Sequence, residues 1–446
     1  MRRVTMLAAA LAVASGAAAQ DSTQAGGLTF EAALAYAREH NPAYLRAVNQ
    51  VTDARYGETV QRSQMLPSAD LSLSFYGNSR RTLTGENDFG QPVDRNSYTT
   101  FESSSASQGV SLTLPVLNLS ALQQTRAARA RTDAQRAAVA LQRAQLRTTV
   151  GDAYFDVVRR RRGLAVERRL LATVQAQLEA ARELLRVAAQ QPTDVLGAEV
   201  QVAQQEQQVQ AAEGEERKAV LALLQQMGAS AATQLTLVSE FPPVFDPSTL
   251  DADALVAEAQ RSAPQVREGL AQAEAADRSV SAARAARLPQ LTLGGSASRN
   301  TNASGYSALG EFNPPNQSLT FYLDARRPLF SGFRTSAQIG QAKVAADNAR
   351  EDLRAARIQV ETDVRSALID LENAYGSLRT AQRALDLAQQ RLEQGQELYR
   401  LNNITFTDLQ LMFQQAAQSE RDVVNAQYGF LVARLTLEEK IGHEVH

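Results

Sequence analysis

The chain has 446 residues and a net charge of −2, so it has no overall basic bias towards nucleic acid. It contains no cysteine, which excludes disulfide bonds, thiolate nucleophiles and cysteine metal sites. Histidine is scarce, and neither a phosphate-binding loop nor a G-x-S-x-G elbow occurs. We therefore predict that the protein is not an enzyme and has no catalytic residues, cofactor or metal site.

The first residues have the pattern of a secretory signal peptide. A positive region at Arg2 and Arg3 is followed by an apolar stretch and by a small-residue cleavage site at 17–19. This pattern predicts a signal peptide over residues 1–19 and an exported mature chain. Because no cysteine follows the cleavage site, we expect no N-terminal lipid anchor.

The positions of the prolines indicate an internal duplication. Pro264 and Pro289 repeat the spacing of Pro42 and Pro67. A repeat of roughly 200 residues is much longer than the units of solenoids and propellers, so we interpret it as one structural unit present twice. The predicted boundaries are residues 28–228 for the first repeat, 229–250 for a linker and 251–442 for the second repeat.

Each repeat contains two segments in which apolar and polar residues alternate. Leu71, Leu73 and Phe75 alternate with polar residues in the first repeat, and Leu319 and Phe321 do so in the second. This period is typical of strands with one apolar and one polar face, and about ten residues suffice for a membrane-spanning strand. The predicted strands cover residues of about 68–77, 106–115, 290–299 and 317–328.

After each strand pair comes a long run without proline, over 116–191 and from 329 to the end of the chain. Such runs permit very long helices. A helix over 116–191 would be about 110 Å long, too long for one globular core. Apolar and small residues at heptad-like spacing predict that each long helix pairs with a returning helix in a coiled-coil hairpin. Shorter helices are predicted over about 43–66 and 195–227.

The returning helices begin after polar tips. Thr193 or Asp194 is the predicted N-cap in the first tip, and Thr407 or Asp408 in the second. A basic run at 159–162 lies on the first long helix. We interpret this run as a solvated or inter-protomer face rather than as a nucleic-acid contact.

Four strands with an apolar face cannot close a membrane barrel on their own. Open sheet edges are not tolerated in lipid, and the smallest bacterial barrels have about eight strands. We therefore predict an oligomer in which each chain supplies a barrel sector and the helical hairpins surround the same axis. The alternatives are a structural coiled-coil protein of the cell surface and a periplasmic adaptor with a single hairpin. The order of strands and hairpins, present twice, argues against both.

This order resembles that of the TolC-type outer-membrane efflux proteins, the outer membrane factor family. The similar stretches are 288–291, 327–332 and the tip segments that end in Asp194-Val195 and Asp408-Leu409. The resemblance implies a mainly α fold with a transmembrane β-barrel sector, built on a duplicated helix-strand-strand-long helix-helix repeat. It also implies a homotrimer with a twelve-stranded barrel in the outer membrane and a periplasmic α-barrel tunnel.

The resemblance implies a function as well. The protein would be a passive exit duct in the outer membrane, in contact with outer-membrane lipid, for efflux or type I secretion. Its partners would be a periplasmic adaptor (membrane fusion) protein and an inner-membrane pump of the RND, ABC or MFS type. Drugs, metabolites, metal ions and polypeptides are all possible cargo, and no nucleic-acid partner is implied.

Family members close their periplasmic entrance with a network of Tyr, Asp and Arg. By position, Tyr399 matches the tyrosine, Asp194 the aspartate and Asp408 an acidic residue that lines the pore. Ile404 replaces the expected arginine, and Leu411 replaces a second acidic residue. We therefore expect a gate with fewer ionic contacts, and Asp194 and Asp408 have a second possible role as helix caps.

The family's hairpin tips contact the adaptor and often carry glycine. In this chain Ala188 and Asn402 occupy the two glycine positions. Asn adopts the left-handed backbone conformation more readily than Ala, so the first tip is expected to differ from the family pattern. The predicted adaptor-contacting residues are Ala188, Pro192, Asn402 and Ile404.

Overall fold

The computed structural model describes residues 27–83, 98–186, 192–238, 241–401 and 403–445. The predicted signal peptide over 1–19 lies outside these residues, as do Ala188 and Asn402. The backbone of Asp194 is described but its side chain is not.

The chain passes twice through the same order of elements. The first pass is α1 (Phe30–His40), α2 (Pro42–Ser63), β1 (Ser68–Leu83), β2 (Tyr98–Asn118), α3 (Leu119–Arg186) and α4 (Pro192–Met227). The second pass is α5 (Ala252–Ser262), α6 (Pro264–Ala285), β3 (Gln290–Ser304), β4 (Asn316–Arg326), α7 (Arg334–Arg400) and α8 (Phe406–Ile441). The fold is therefore mainly helical, and α3 and α7 are the two very long helices, with 68 and 67 residues.

Each pass begins with a short helix, α1 or α5, that the sequence patterns do not predict. Proline is accepted at the start of a helix, and Pro42 and Pro264 begin α2 and α6. The residue before a proline is driven out of the helical region. Asn41 and Ala263 are extended accordingly, and they separate each short helix from the next one.

The four strands form one antiparallel sheet in the order β1-β2-β3-β4. They have 16, 21, 15 and 11 residues, and three of them continue well beyond the predicted bounds. Residues directly opposite each other share a face of the sheet. One row of such residues consists of Leu71, Val110, Ala297 and Leu319, and serine and glycine dominate the alternate rows.

The chain folds into two compact units, each assembled from separate segments of both repeats. The first, the helical unit, comprises the described residues within Met1–Asn41, Leu146–Pro247 and Asp370–Leu435. The second, the sheet unit, comprises Pro42–Gln145, Ser248–Ile369 and Thr436–His446. Val157, Leu224, Leu378 and Phe430 are fully buried in the helical unit, and Val266 and Leu437 in the sheet unit.

Across the described residues, none of the helices is long and apolar enough to cross a membrane.

Candidate functional site

The leucine-rich face of the sheet is open to its surroundings. Leu71 is 81% exposed and Phe321 is 74% exposed, and every residue of β4 is exposed. Large apolar surfaces of this kind mark a contact with a partner or a membrane. The two outer strands, β1 and β4, each have one edge without a neighbour in this sheet. Such edges are able to pair with a strand of another chain.

A pair of glycines lets two aromatic rings lie across the sheet. Tyr322 covers Gly294 so closely that a Cβ atom at that position would collide with its ring. On the other face, Phe321 lies 3.1 Å from where a Cβ atom of Gly295 would be. These contacts join β3 to β4 through side chains in addition to the backbone ladder.

The turn between β4 and α7 presents exposed aromatic side chains. Leu329 is 92% exposed, and the rings of Phe330 and Phe333 meet edge to face at 5.7 Å. Gly332 and Phe333 both have positive φ, at 58° and 63°. A bulky residue at positive φ is a strained conformation, which is typical of functional segments.

The second hairpin tip is organised by a capping box. The amide and hydroxyl of Thr405 donate to the Asp408 carboxylate at 3.1 and 2.6 Å, and the Asp408 amide donates back to the Thr405 hydroxyl at 3.2 Å. The hydroxyl bond first, and then the amide bond, lowers the pKa of Asp408. The N-cap of α8 is therefore Thr405. The prediction of Thr407 or Asp408 as the N-cap is wrong, because both lie inside the first turn and the carboxylate acts from the third helical position.

The first tip differs from its prediction in the same way. Since α4 begins at Pro192, Thr193 and Asp194 lie within its first turn and neither is the N-cap. Pro192 is exposed at the start of α4, whereas Tyr399 and Ile404 are half-buried at the other tip. Both tips belong to the helical unit. Whether Asp194, Tyr399 and Asp408 form a constriction stays a prediction.

The arginines of α3 form ion pairs within the chain. Arg161 contacts Glu216 of α4 at 2.7 Å, and Arg168 contacts Glu213 at 2.7 Å. The interpretation of the run 159–162 as a solvated or inter-protomer face is therefore wrong for Arg161. The signal for these ion pairs in the sequence is the matching acidic run at 213–216.

Two further ion pairs cross between α3 and α8. Glu167 contacts Arg421 at 2.5 Å, and Arg169 pairs with Glu420. Tyr428 of α8 donates to Asp152 of α3 at 2.6 Å, and its burial, assisted by this bond, raises the pKa of its hydroxyl. Charged and polar contacts thus attach α3 to both returning helices of the helical unit.

A polar recess of about 830 Å³ lies where α3, α4 and α8 meet. Its lining is dominated by glutamine side chains, which both donate and accept hydrogen bonds. They are Gln177, Gln201, Gln204, Gln205, Gln208, Gln410, Gln414, Gln415 and Gln418. The recess is therefore polar but has little charge, and Glu167 and Arg421 line part of it.

Comparison with known proteins identifies the family of the chain. Residues 33–229 and 255–443 match the family described as outer membrane efflux protein, and these two segments make up most of the chain. The chain belongs to this family. The predicted resemblance is confirmed, and the protein is an outer-membrane efflux channel rather than a structural coiled-coil protein of the cell surface.

Relatives in the family share moderate identity with this chain. The chain is 24% identical to the outer membrane protein TolC of Vibrio cholerae over 409 residues. This aligned region covers 91% of the chain and 89% of that protein. The chain is 29% identical to the outer membrane efflux protein BepC of Brucella suis over 298 residues. This aligned region covers 64% of the chain and 63% of that protein.

Solved structures have the same fold. The CmeC outer membrane channel of Campylobacter jejuni has a TM-score of 0.71 at 14% identity and covers 99% of this chain and 94% of that chain. The outer membrane protein VceC of Vibrio cholerae has a TM-score of 0.67 at 16% identity. The alignment covers 94% of this chain and 97% of that chain. At these identities the likeness concerns the fold alone.

Proposed function

We propose that the protein is the passive outer-membrane duct of a tripartite efflux or type I secretion system. An inner-membrane pump of the RND, ABC or MFS type would supply the energy and a periplasmic adaptor would join the two. The observation that carries this proposal is the exposed leucine-rich face of a sheet in a chain that otherwise consists of long helical hairpins. A duct of this kind transports without chemistry, so we do not expect enzymatic activity.

The proposed assembly is a homotrimer. Three sheets of four strands would give a barrel of twelve strands, in which β1 of one chain pairs with β4 of the next. The apolar faces would point to lipid and the serine-rich faces to the lumen. The helical hairpins of the three chains would form the periplasmic tunnel, and the signal peptide over 1–19 would direct export without lipidation.

A direct test uses the mature chain purified in detergent. We expect a trimeric mass by light scattering and ion-conducting pores in planar bilayers. The matched control is the same preparation unfolded by heat before it is added to the bilayer, because residual detergent would then be the only source of current. A water-soluble monomer without conductance would contradict the proposal.

At the periplasmic entrance, we assign Tyr399, Asp194 and Asp408 to the constriction. The tips, with Ala188, Pro192, Asn402 and Ile404, are assigned to adaptor contact. The exposure of Asp408 in the first turn of α8 supports its assignment as a pore-lining group. A ring of carboxylates in a pore attracts multivalent cations.

Block of the pore by a trivalent cation tests this assignment. Asp408→Asn should weaken the block by several-fold, because the ring of charges is lost. Thr405→Ala is the control, since it removes the cap partner of Asp408 but leaves the carboxylate in place. Equal block in wild type and Asp408→Asn would leave Asp408 as a helix cap only.

A further inference from the structure

The leucine-rich face of the sheet changes from apolar to more polar residues at one row. Leu71, Val110, Ala297 and Leu319 form the last apolar row on the side of the β3–β4 connection. The next row on the same face consists of Leu73, Gln108, Arg299 and Gln317. On β3 and β4 the border between the apolar band and polar surroundings therefore lies between these two rows, and it carries a guanidinium.

The β3–β4 loop (residues 305–315) folds onto this same face just beyond the border. Tyr306 lies 3.3 Å from where a Cβ atom of Gly77 would be, and the rings of Phe312 and Phe75 meet at 5.4 Å. Gln108 donates its amide to the Phe312 carbonyl at 2.6 Å.

A second anchor holds the middle of the loop. The Ala308 amide donates to the buried hydroxyl of Ser104 at 3.0 Å, and Ala308 itself is buried. The loop is thus attached to the sheet at several points. The loop therefore forms a polar and aromatic wall, made of residues 305–315, next to the apolar band on the same face of the sheet.

Arg299 lies between this wall and the leucine rows. Its guanidinium donates to the neutral amide oxygen of Asn313, and the Asn313 backbone amide in turn donates to the Glu311 carboxylate at 2.9 Å. Arg299 itself forms no ion pair with a carboxylate among the described residues. A guanidinium has five donors, and the Asn313 oxygen that accepts from it carries no charge. An open recess of about 520 Å³ adjoins it, and its lining includes Gln108, Leu71 and Leu319.

We propose that the recess beside Arg299 binds the phosphate headgroup of an acylated lipid of the outer membrane. Arginine matches phosphate through paired charge-assisted hydrogen bonds, and Gln108 and Gln317 add polar groups in the same row. The leucine rows below offer an apolar surface for the acyl chains. Free phosphate would lack this second contact, so the lipid is the better match. The inference rests on the proposed function, because it requires the leucine face to meet lipid.

The experiment uses the full mature protein in micelles of dodecyl maltoside, which carries no phosphate, with added lipid A, an acylated disaccharide that carries phosphates. Native mass spectrometry counts the bound lipid A across a concentration series. We expect Arg299→Gln to weaken binding about tenfold or more, because bonds to a charged group are lost. Arg299→Lys keeps the charge without the fork of donors and should be intermediate.

Arg80→Gln is the matched control. Arg80 is exposed on the opposite face of the same sheet and should not affect binding. Lipid A without its phosphates should bind the wild type as weakly as lipid A binds Arg299→Gln, and inorganic phosphate at millimolar concentration should not displace the lipid.

Equal binding of lipid A to wild type and Arg299→Gln would overturn the proposal, as would equal losses in Arg299→Gln and Arg80→Gln. Displacement by inorganic phosphate would reduce the site to an anion site. Pore formation in planar bilayers separates this inference from the proposed function. Pores without Arg299-dependent binding contradict the lipid site alone, whereas Arg299-dependent binding without pores contradicts the duct.

Discussion

Thr405 and Asp408 fix the start of α8 through hydrogen bonds in both directions. The bonds to the carboxylate lower its pKa in the folded protein. The stabilisation is therefore present at pH values above the usual carboxyl pKa of about 3.9 and is lost as the pH falls through the lowered value. We expect hydrogen exchange at the first turn of α8, corrected for intrinsic rates, to lose protection below about pH 4.

Two variants control this expectation. Asp408→Asn should reduce protection at neutral pH and remove most of its acid dependence, because amide groups do not titrate. Thr407→Ala leaves both capping partners intact and should behave like the wild type. Protection that is independent of pH in the wild type would show that the carboxylate does not hold the first turn.

The capping residues show how far a sequence specifies such detail. A polar tip followed by an apolar helical pattern correctly predicts that α8 starts there. Thr405 and Thr407 are equally good caps by residue type. The choice between them depends on where the chain leaves α7, and a bond from the Asn403 amide to the Leu398 carbonyl closes that end. This bond belongs to the folded tip and has no signature in the sequence.

At the scale of elements, the crossed ion pairs between α3 and α8 differ in burial. The Glu167 side chain is 12% exposed, whereas Arg169 is 65% exposed. The coupling free energy of a solvent-exposed ion pair is about 0.2–1 kcal/mol. We expect a partly buried pair to couple more strongly, because its charges are less screened by water. We expect a double-mutant cycle with Glu167→Gln and Arg421→Gln to give a coupling free energy of about 1–3 kcal/mol.

The matched cycle uses Arg169→Gln and Glu420→Gln, for which we expect less than about 1 kcal/mol. The measurement is thermal or denaturant unfolding of the purified protein in detergent, followed by circular dichroism. High salt should reduce the second coupling more than the first, because exposed charges are screened. Equal couplings in both cycles would contradict the ranking by burial.

The elements themselves were predicted to different degrees. Period-two alternation located all four strands, and proline-free runs located α3 and α7. The short helices α1 and α5 were missed although Thr29 and Asp251 cap them with hydrogen bonds to nearby amides. The acidic run at 213–216 indicates ion pairs with the arginines of α3, but the sequence does not specify the register between two long helices, so it does not select Glu216 as the partner of Arg161.

At the scale of the whole molecule, each compact unit combines segments of both repeats. The duplication therefore does not produce two separate domains. Instead, both strand pairs join one sheet, and β2 of the first repeat pairs with β3 of the second. This sheet has an exposed apolar face and two outer edges. In the proposed assembly, neighbouring chains would cover the edges and the membrane would cover the apolar face.

If the leucine face meets the membrane, an arginine on that face should destabilise the protein more than an arginine on the opposite face of the sheet. Leu323 lies on the leucine face, directly opposite Leu293, and is exposed, so its replacement removes few contacts within the chain. Leu323→Arg should destabilise the membrane-inserted protein by about 2–4 kcal/mol if this row lies near the middle of the bilayer. Thr320→Arg places the same charge on the opposite face, towards the proposed lumen, and should cost much less. The measurement compares unfolding of both variants in phosphatidylcholine vesicles and in detergent, because only the bilayer should separate them. If both arginines cost the same in vesicles, the leucine face does not meet lipid.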